Sequence, residues 1–205
     1  NPVEFDYIVD PFTDNSSLVQ DVYDCGVLNT TNAVYTMNQS INTGTTCLTV
    51  SANNITIDFN GYNINDTSPA DSEYGVTTAY NQTTVKNGYI YHFGTGIYST
   101  GYNGNYTNMT IYANGALGAG PNGYGVYLTK NNNFITNNNV TIINTVEVSL
   151  PFGIYLTGSS NNTIQNNLVN NNYGSSGGYG IYFASSSNNV LTGNTANSNS
   201  DTGIY

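Results

Sequence analysis

The chain has 205 residues, with only two lysines or arginines against twelve aspartates or glutamates, so its formal net charge is -10. Nucleic-acid binding requires cations that neutralise phosphates, so this balance excludes that class and disfavours an anionic membrane surface. No hydrophobic run reaches the roughly 20 residues of a transmembrane helix. Asparagine (37), glycine (22) and tyrosine (19) are abundant and helix formers are scarce, which predicts an all-β protein with many turns.

Residues 1–24 form an acidic N-terminal segment that holds half of the carboxylates. Apolar residues alternate within it and predict a strand with one buried face, which we interpret as an element offered to a neighbouring subunit. The alternating residues are Val3, Phe5, Tyr7 and Val9. No signal peptide is visible, and we expect that an exported precursor has lost one.

The two cysteines, Cys25 and Cys47, enclose 21 residues. In a secreted protein they would form a disulfide worth about 3 kcal/mol of loop-closure entropy. A pair of buried free thiols is the alternative. We predict the disulfide, and with it an N-terminal cap segment tied to the start of the folded domain, which we place at residues 25–205.

Internal repetition is the strongest signal in the chain. The pattern Asn-x-x-(Ile/Leu/Thr)-x-x-Asn recurs six times, at spacings of 27, 27, 24, 29 and 27 residues. The copies are 54–60, 81–87, 108–114, 132–138, 161–167 and 188–194. Parallel stacking places equivalent residues above one another, so we expect these asparagines to hydrogen-bond in columns at tight corners and to be structural.

A second repeat, Gly-(Ile/Val), lies between the copies of the first and is followed by Tyr from residue 96 onward. Its copies begin at Gly75, Gly96, Gly125, Gly153, Gly180 and Gly203. An apolar residue, Tyr and a further apolar residue alternate as in a strand with one buried face. Short repeated strands without helices between them predict a β-solenoid of about six to seven coils. A β-sandwich is the alternative, but its strands would not repeat one side chain at one place.

Ten Asn-x-Ser/Thr sequons favour an exported glycoprotein with N-linked glycans. We expect glycans at the sequons outside the asparagine columns, which are Asn15, Asn29, Asn38, Asn65, Asn105 and Asn139. An amide that is buried in a hydrogen-bonded stack cannot carry a sugar. The sequons within the columns should therefore be bare, and these are Asn54, Asn81, Asn108 and Asn161.

The stretch GIYLTGSSNNTIQNN (153–167) resembles the NosD-type repeats of archaeal cell-surface proteins, within the pectate-lyase-like superfamily. The segment 25–64, in which CGVLNTTNAVYTMNQSI precedes the second cysteine and NITIDFNGYNI, resembles the way such proteins begin. The resemblance covers about residues 25–205 and implies a right-handed parallel β-helix. It implies little about function, because the superfamily includes lyases, hydrolases, epimerases and inert surface proteins.

Residues for catalysis are scarce in the repeat region. The resemblance would imply an Asp cluster with a Lys or Arg base for a lyase, or several converging Asp for a hydrolase, but only two carboxylates follow Glu73. Copper, which is associated with NosD itself, needs His, Met or Cys ligands, and the one histidine, His92, is far in sequence from Met37 and Met109. We therefore expect no enzymatic activity, no metal and no cofactor.

Exposed tyrosines and an open end are the features that favour a surface function. The predicted outward column comprises Tyr98, Tyr127, Tyr155 and Tyr182, with Tyr124, Phe152 and Tyr179 alongside. It would contact sugar rings or another subunit, or only stabilise the sheet through cross-strand pairs. The last residues, 203–205, begin a coil that would leave Ile204 and the edges of the preceding coil without partners. We therefore expect head-to-tail self-association there, with Ile204 and Tyr205 at the contact.

Taken as a whole, the sequence favours a non-catalytic, glycosylated, extracellular structural protein of an archaeal-type cell surface. We expect it to be a subunit of a filament or layer that assembles end to end. The competing hypothesis is a carbohydrate-binding or carbohydrate-active β-helix that uses the exposed tyrosine face. Catalysis would require carboxylates clustered in one groove, whereas assembly would require complementary ends.

Overall fold

The computed structural model describes residues 18–68, 73–114, 123–143, 150–170, 172, 177–197 and 199–205. Within these ranges the chain forms short strands joined by turns. In chain order the strands are β1 (Val19–Val22), β2 (Gly26–Leu28), β3 (Val34–Met37), β4 (Ile41–Thr43), β5 (Leu48–Val50), β6 (Thr56–Asp58), β7 (Asn63–Asp66), β8 (Tyr74–Thr78), β9 (Thr84–Tyr91), β10 (Thr95–Ser99), β11 (Asn105–Asn114), β12 (Tyr124–Leu128), β13 (Phe134–Thr136), β14 (Asn139–Ile143), β15 (Phe152–Thr157), β16 (Thr163–Gln165), β17 (Leu168–Val169), β18 (Tyr179–Ala184) and β19 (Val190–Thr192). None of the described segments is a helix long and apolar enough to span a bilayer.

The strands stack into two parallel sheets, and this confirms the predicted parallel β-helix. We call the larger one sheet A and the smaller one sheet B. Sheet B contains seven strands in the order β18-β15-β12-β10-β8-β5-β2, one from each coil. Sheet A follows the order β1-β3-β6-β9-β11-β13-β16-β19, with β4, β7, β14 and β17 beside this path. In most coils, sheet A consists of two short strands separated by a corner, such as β6 and β7 or β13 and β14, and we call these its two halves. Strands β9 and β11 are long enough to contribute to both halves. Each coil therefore presents three faces.

The interior is filled by columns of apolar side chains that repeat from coil to coil. Sheet B contributes the column Leu48, Val76, Ile97, Val126, Ile154 and Ile181, all fully buried. The two halves of sheet A contribute Ile57, Val85, Tyr106, Ile135 and Ile164, and Ile64, Ile90, Ile111, Val140 and Val169. Since strands alternate sides, the residues between these columns form the outer surface.

The predicted disulfide between Cys25 and Cys47 is confirmed. Its sulfur atoms lie 2.07 Å apart and its Cα atoms 4.4 Å apart. The backbone amide of Gly26 also donates to the carbonyl of Cys47 at 2.9 Å, so the bridge joins two adjacent coils at the N-terminal end. The predicted donor strand lies outside the described residues, because Val3, Phe5, Tyr7 and Val9 precede residue 18. Strand β1 pairs with β3 and belongs to sheet A.

The register shows that the six copies of the asparagine pattern do not form a single column. Ile57 pairs with Val85 and not with Thr84, so the second copy is shifted by one residue. Ile111, at the centre of the third copy, lies on the other half of sheet A and pairs with Val140. A coil has two corners that are rich in asparagine, and the third copy of the pattern lies at a different corner from the other copies.

Both corners place asparagine in the left-handed backbone region, which asparagine tolerates better than most residues. At the first corner, between sheets B and A, these residues are Asn32, Asn54, Asn103, Asn132, Asn161 and Asn188. At the second corner, within sheet A, they are Asn60, Asn87, Asn108, Asn137 and Asn166. The prediction that the sequon residues Asn54, Asn81, Asn108 and Asn161 lie in a buried stack is wrong, because all four side chains are exposed.

The buried hydrogen-bonded ladders are formed by other asparagines. They run through Asn133, Asn162 and Asn189 at the first corner, through Asn138, Asn167 and Asn194 at the second, and through Asn172 and Asn199 before sheet B. In each ladder one side-chain oxygen accepts from the backbone amide and from the side-chain amide of the asparagine one coil earlier. The predicted structural role is confirmed for Asn138, Asn167 and Asn194, which end three copies of the pattern. At the first corner it falls instead to the residue after the first asparagine of each of these copies.

Candidate functional site: the aromatic face

The outer side of sheet B carries a continuous layer of aromatic rings, and a glycine in each of the strands β8, β10, β12, β15 and β18 makes it possible. A Cβ atom on Gly96 would lie 2.5 Å from Cγ2 of Ile111 and 2.6 Å from the carbonyl oxygen of Gly125. The glycine position thus faces inward, as does the apolar residue that follows it. Two successive inward residues interrupt the alternation, so the residue before glycine lies on the outer side, where Tyr124 and Tyr127 are 4.7 Å apart.

We call this layer the aromatic face. It comprises Tyr74, Tyr98, Tyr124, Tyr127, Phe152, Tyr155, Tyr179, Tyr182 and Tyr205. The structure brings together the seven aromatic residues that the sequence placed there, and adds the rings at both ends. Tyr74 had a signal in the sequence, since it precedes Gly75 as Tyr124 precedes Gly125.

The rings are arranged in two columns that run along the solenoid axis. In the outer column, Tyr127 lies 5.1 Å from both Tyr98 and Tyr155 between ring centroids, close to the coil spacing of about 4.8 Å. In the flanking column, Phe152 stacks on Tyr124 and on Tyr179 with interplanar angles of 11° and 10°. The rings of the flanking column therefore turn their faces toward each other.

The face offers solvent mainly ring edges and hydroxyl groups. Tyr124 and Phe152 are only 8% and 6% exposed, and the central tyrosines of the outer column are half-buried. Tyr205 differs, because it stacks on Tyr182 at 4.8 Å and is 64% exposed. Aromatic pairs of this kind stabilise a structure by about 0.5–1.5 kcal/mol each beyond the area they bury. The layer is thus a packed element of the fold as well as a surface.

The pKa of three tyrosines in the aromatic face is raised above the ordinary value of tyrosine. Burial, followed by the neighbouring tyrosines, raises the pKa of Tyr127 to about 12. Burial and the nearby Tyr74 also raise the pKa of Tyr98. At the C-terminal end, a hydrogen bond to Asp201 raises the pKa of Tyr179 to about 12, because the bond favours the protonated form.

An ion pair in sheet A lies away from the aromatic face. The Lys86 ammonium lies 3.0 Å from the Asp58 carboxylate, and the two residues are register partners in sheet A. Burial raises the pKa of Asp58, but the Asn60 backbone amide, Lys86 and Asn87 outweigh it, so that the pKa is lowered overall. Such a partly exposed ion pair typically stabilises a fold by about 0–1 kcal/mol.

The predicted absence of a metal site was based on the separation of its candidate ligands. Met37 and Met109 are buried in the apolar core, and His92 lies with Nδ1 2.7 Å from Oδ1 of Asn65. Within the described ranges, no three side chains of His, Cys, Asp or Glu are grouped so that they could hold an ion. Glu147 lies outside those ranges.

The sequons predicted to carry glycans differ in their exposure. Asn29 is exposed, whereas Asn38, Asn65, Asn105 and Asn139 are half-buried on the faces of the coils. The amide of Asn65 is occupied on both sides, since Nδ2 donates to Asn42 at 3.0 Å and Oδ1 contacts His92. Asn15 lies outside the described residues.

The last described coil presents a partly apolar surface. Phe183, Leu191 and Tyr205 line a groove of about 340 Å³ together with residues 186–189. Val190 and Ile204 are 56% and 46% exposed. The prediction that Ile204 lacks a partner is wrong for the side that faces the preceding coil, because Ile204 forms a parallel bridge with Ile181 there.

Comparison with known proteins agrees with the stacked parallel strands. The family described as right handed beta helix region matches residues 41–205, which is most of the chain. No curated protein and no solved structure matches the chain. The protein belongs to the right-handed β-helix family.

Proposed function

We propose that the protein is a non-catalytic structural protein of a cell surface, a rod-like unit within a filament or layer. The observation that carries the proposal is that the buried polar side chains of the coils bond neighbouring coils to each other. Buried asparagines donate to and accept from the coils above and below, as when Asn162 donates through Nδ2 to Asn189 at 2.9 Å. Side chains bonded in this way hold neighbouring coils together, and an asparagine amide does not act as a general acid or base.

The charged residues support the same proposal. Lys86 is paired with Asp58, and Lys130 lies over the ring of Tyr102 at 5.5 Å. A general acid–base mechanism needs titratable groups that converge on one substrate atom. Coils built from amide ladders and aromatic columns are instead suited to carry load along their axis, since each coil is bonded to the next.

The location outside the cytoplasm is supported by the disulfide and by the sequons. Disulfides persist in oxidising compartments and are rare in the cytosol. The similarity of residues 153–167 to NosD-type repeats of archaeal surface proteins points to the same location. Labelling intact cells with a membrane-impermeant reagent tests it, and a protein that is labelled only after lysis would be intracellular.

Assembly end to end is the part of the proposal that the open groove supports. The groove presents Phe183, Leu191 and Tyr205, and burying such side chains is favourable by about 25 cal/mol per Å² of apolar surface. We propose that the N-terminal part of a neighbouring subunit covers it. Segment 1–12 remains the predicted donor strand.

Electron microscopy of the native surface material, with sedimentation of the purified protein, tests assembly. Tyr205→Asp should prevent it, while the control Tyr80→Asp, at an exposed tyrosine on a corner, should not. Deleting residues 1–12 should also abolish assembly and leave the β-sheet signal in circular dichroism unchanged. A native protein that stays monomeric at high concentration, or whose longer chain covers the groove with its own coils, would reject this mode of assembly.

Carbohydrate binding by the aromatic face is the second candidate. It is favoured by the row of hydroxyl-bearing rings at nearly one coil spacing. Because the flanking rings stack on each other, a sugar would meet ring edges and hydroxyl groups at most positions. Binding to a polysaccharide series that is lost in Tyr155→Ala and kept in Tyr80→Ala would support this candidate, and equal binding by both would reject it.

A further inference from the structure

The exposed sequons differ in two properties that decide whether a glycan can be attached to the folded chain. The sugar is attached to Nδ2 of asparagine, and the sequon is defined by a hydroxyl two residues later. A site that is open after folding therefore needs a free Nδ2 on an exposed side chain and a hydroxyl that is not buried. On the flat faces, coils lie about 4.8 Å above and below each residue, whereas a corner is convex and leaves more room.

Asn161 meets both conditions. Its side chain is exposed at the first corner, where its φ of 58° holds it in the left-handed region. Its backbone amide donates to the carbonyl of Ser187, and its side-chain amide donates no hydrogen bond to a described residue. The hydroxyl-bearing Thr163 is half-exposed at the start of β16.

Asn29 meets the same two conditions, and it lies along the same first corner, near the N-terminal end of the described coils. Asn29 and Thr31 are both exposed, just after β2, and the side-chain amide of Asn29 has no described partner. Asn29 precedes β3 and Asn161 precedes β16, which are five steps apart in sheet A. The two sites are therefore separated by about 24 Å along the axis at 4.8 Å per coil.

Two other sequons fail, each for a different reason. The Nδ2 atom of Asn65 donates to Oδ1 of Asn42, and its own Oδ1 contacts His92. Asn81 is exposed, but the hydroxyl of its sequon belongs to Thr83, which is fully buried and lies 3.1 Å from the hydroxyl of Thr78. A transferase acting on the folded chain would not reach either of these sequons.

The geometry points to N-glycosylation at Asn29 and Asn161, along the edge that borders the aromatic face, with Asn65 and Asn81 bare. This inference rests on the proposed location outside the cytoplasm. It reverses the sequence-based expectation for Asn65 and Asn161. Glycans on this one edge would leave the other corners and faces free for contacts between rods.

Site-resolved mass spectrometry of the protein from the cells that make it tests the inference. We expect Asn29 and Asn161 to be mostly occupied, and Asn65 and Asn81 to be occupied at less than about a tenth of that level. Asn161→Gln and Thr163→Val should each remove the same glycan mass, because both destroy one sequon. Asn65→Gln should remove none.

Occupancy of Asn65 or Asn81 equal to that of Asn161 would overturn the inference, as would an unmodified Asn161 in a protein glycosylated elsewhere. A protein without any glycan would overturn it as well. Surface labelling of intact cells is independent of glycans. A surface-labelled protein without glycans would therefore reject the modification sites and leave the proposed function standing.

Discussion

Oδ1 of Asn167 accepts two hydrogen bonds from Asn138, one from the backbone amide and one from Nδ2, each at 3.0 Å. Asn167 in turn donates through Nδ2 to the carbonyl of Ile135 at 2.8 Å and to Oδ1 of Asn194 at 2.9 Å. Asn138 and Asn167 are both almost fully buried. One amide thus bonds to polar groups of both neighbouring coils, the preceding one and the next one, and only these coils satisfy it.

Replacing Asn167 by alanine should therefore destabilise the rod strongly. The change leaves the amide groups of Asn138 and the carbonyl of Ile135 without these partners, and each buried unsatisfied group costs about 1–3 kcal/mol. We expect the free energy of unfolding to fall by about 3 kcal/mol or more, as measured by urea denaturation. The control is Asn166→Gly, an exposed corner residue with a φ of 55°, where glycine is tolerated. Equal effects of the two changes would show that the ladder contributes little.

The glycine column of sheet B should not tolerate a methyl group. Gly96→Ala would place Cβ 2.6 Å from the carbonyl oxygen of Gly125, so that the backbones of two coils would have to separate. Overpacking of this kind costs about 1–3 kcal/mol, which should appear as a lower midpoint of thermal unfolding. Gly26→Ala is the matched control, because a Cβ there meets nothing within 4 Å. If both variants melt with the native protein, the close approach of the coils is wrong.

Reduction of the disulfide should loosen the N-terminal coils. Closing a loop between residues 22 apart in sequence restricts the unfolded chain. Its loss should cost about 3 kcal/mol on the entropic estimate. We expect a reductant to lower the unfolding midpoint of the native protein and to leave that of a Cys25→Ser, Cys47→Ser variant unchanged. A midpoint that does not respond to reductant in either protein would contradict the stabilising role of the bridge.

Alkaline pH should weaken the fold through the aromatic face. The pKa of Tyr127 is raised from 10.0 to about 12, so below pH 10 its hydroxyl is protonated in the folded and in the unfolded chain. Between pH 10 and about 12 the unfolded chain loses a proton that the folded chain keeps, and the free energy of unfolding falls as pH rises.

Denaturation series across this pH window measure the fall, and Tyr127→Phe should make it less steep while keeping the ring. An absorbance titration that finds Tyr127 ionising at the ordinary pH of tyrosine would contradict the raised pKa. A decline that is equally steep in both proteins would assign the effect to other groups.

Much of the fold could be predicted from the sequence because parallel stacking repeats the same side chain at the same place. The recurrence of Gly-Ile-Tyr at residues 96–98, 153–155 and 180–182 was sufficient to place Tyr98, Tyr155 and Tyr182 in one outward column. The asparagine pattern was less reliable, because both corners favour the same residue for the same backbone reason. A match by spacing alone cannot distinguish the corner at Asn108 from the corner at Asn161.

The composition of the candidate site depended on contacts that spacing does not reveal. Tyr124 lies beside Tyr127 because the glycine between them faces inward, and that orientation is set by the backbone of the next coil. Likewise, the burial of Thr83 and the bonded amide of Asn65 distinguish one sequon from another only in three dimensions. Local patterns identified the columns, and the packing between coils determined their membership.

The ladders have a consequence for how the length of this rod can change. Asn132 and Asn161 occupy equivalent corners, so removing residues 132–160 would bring Asn161 to the place of Asn132 and let Asn162 take over the partners of Asn133. Gain or loss of one whole coil leaves every column in phase, whereas deletion of a single residue within a strand puts all of its columns out of phase. Rods of this design should therefore differ in length by whole coils, in increments of about 4.8 Å.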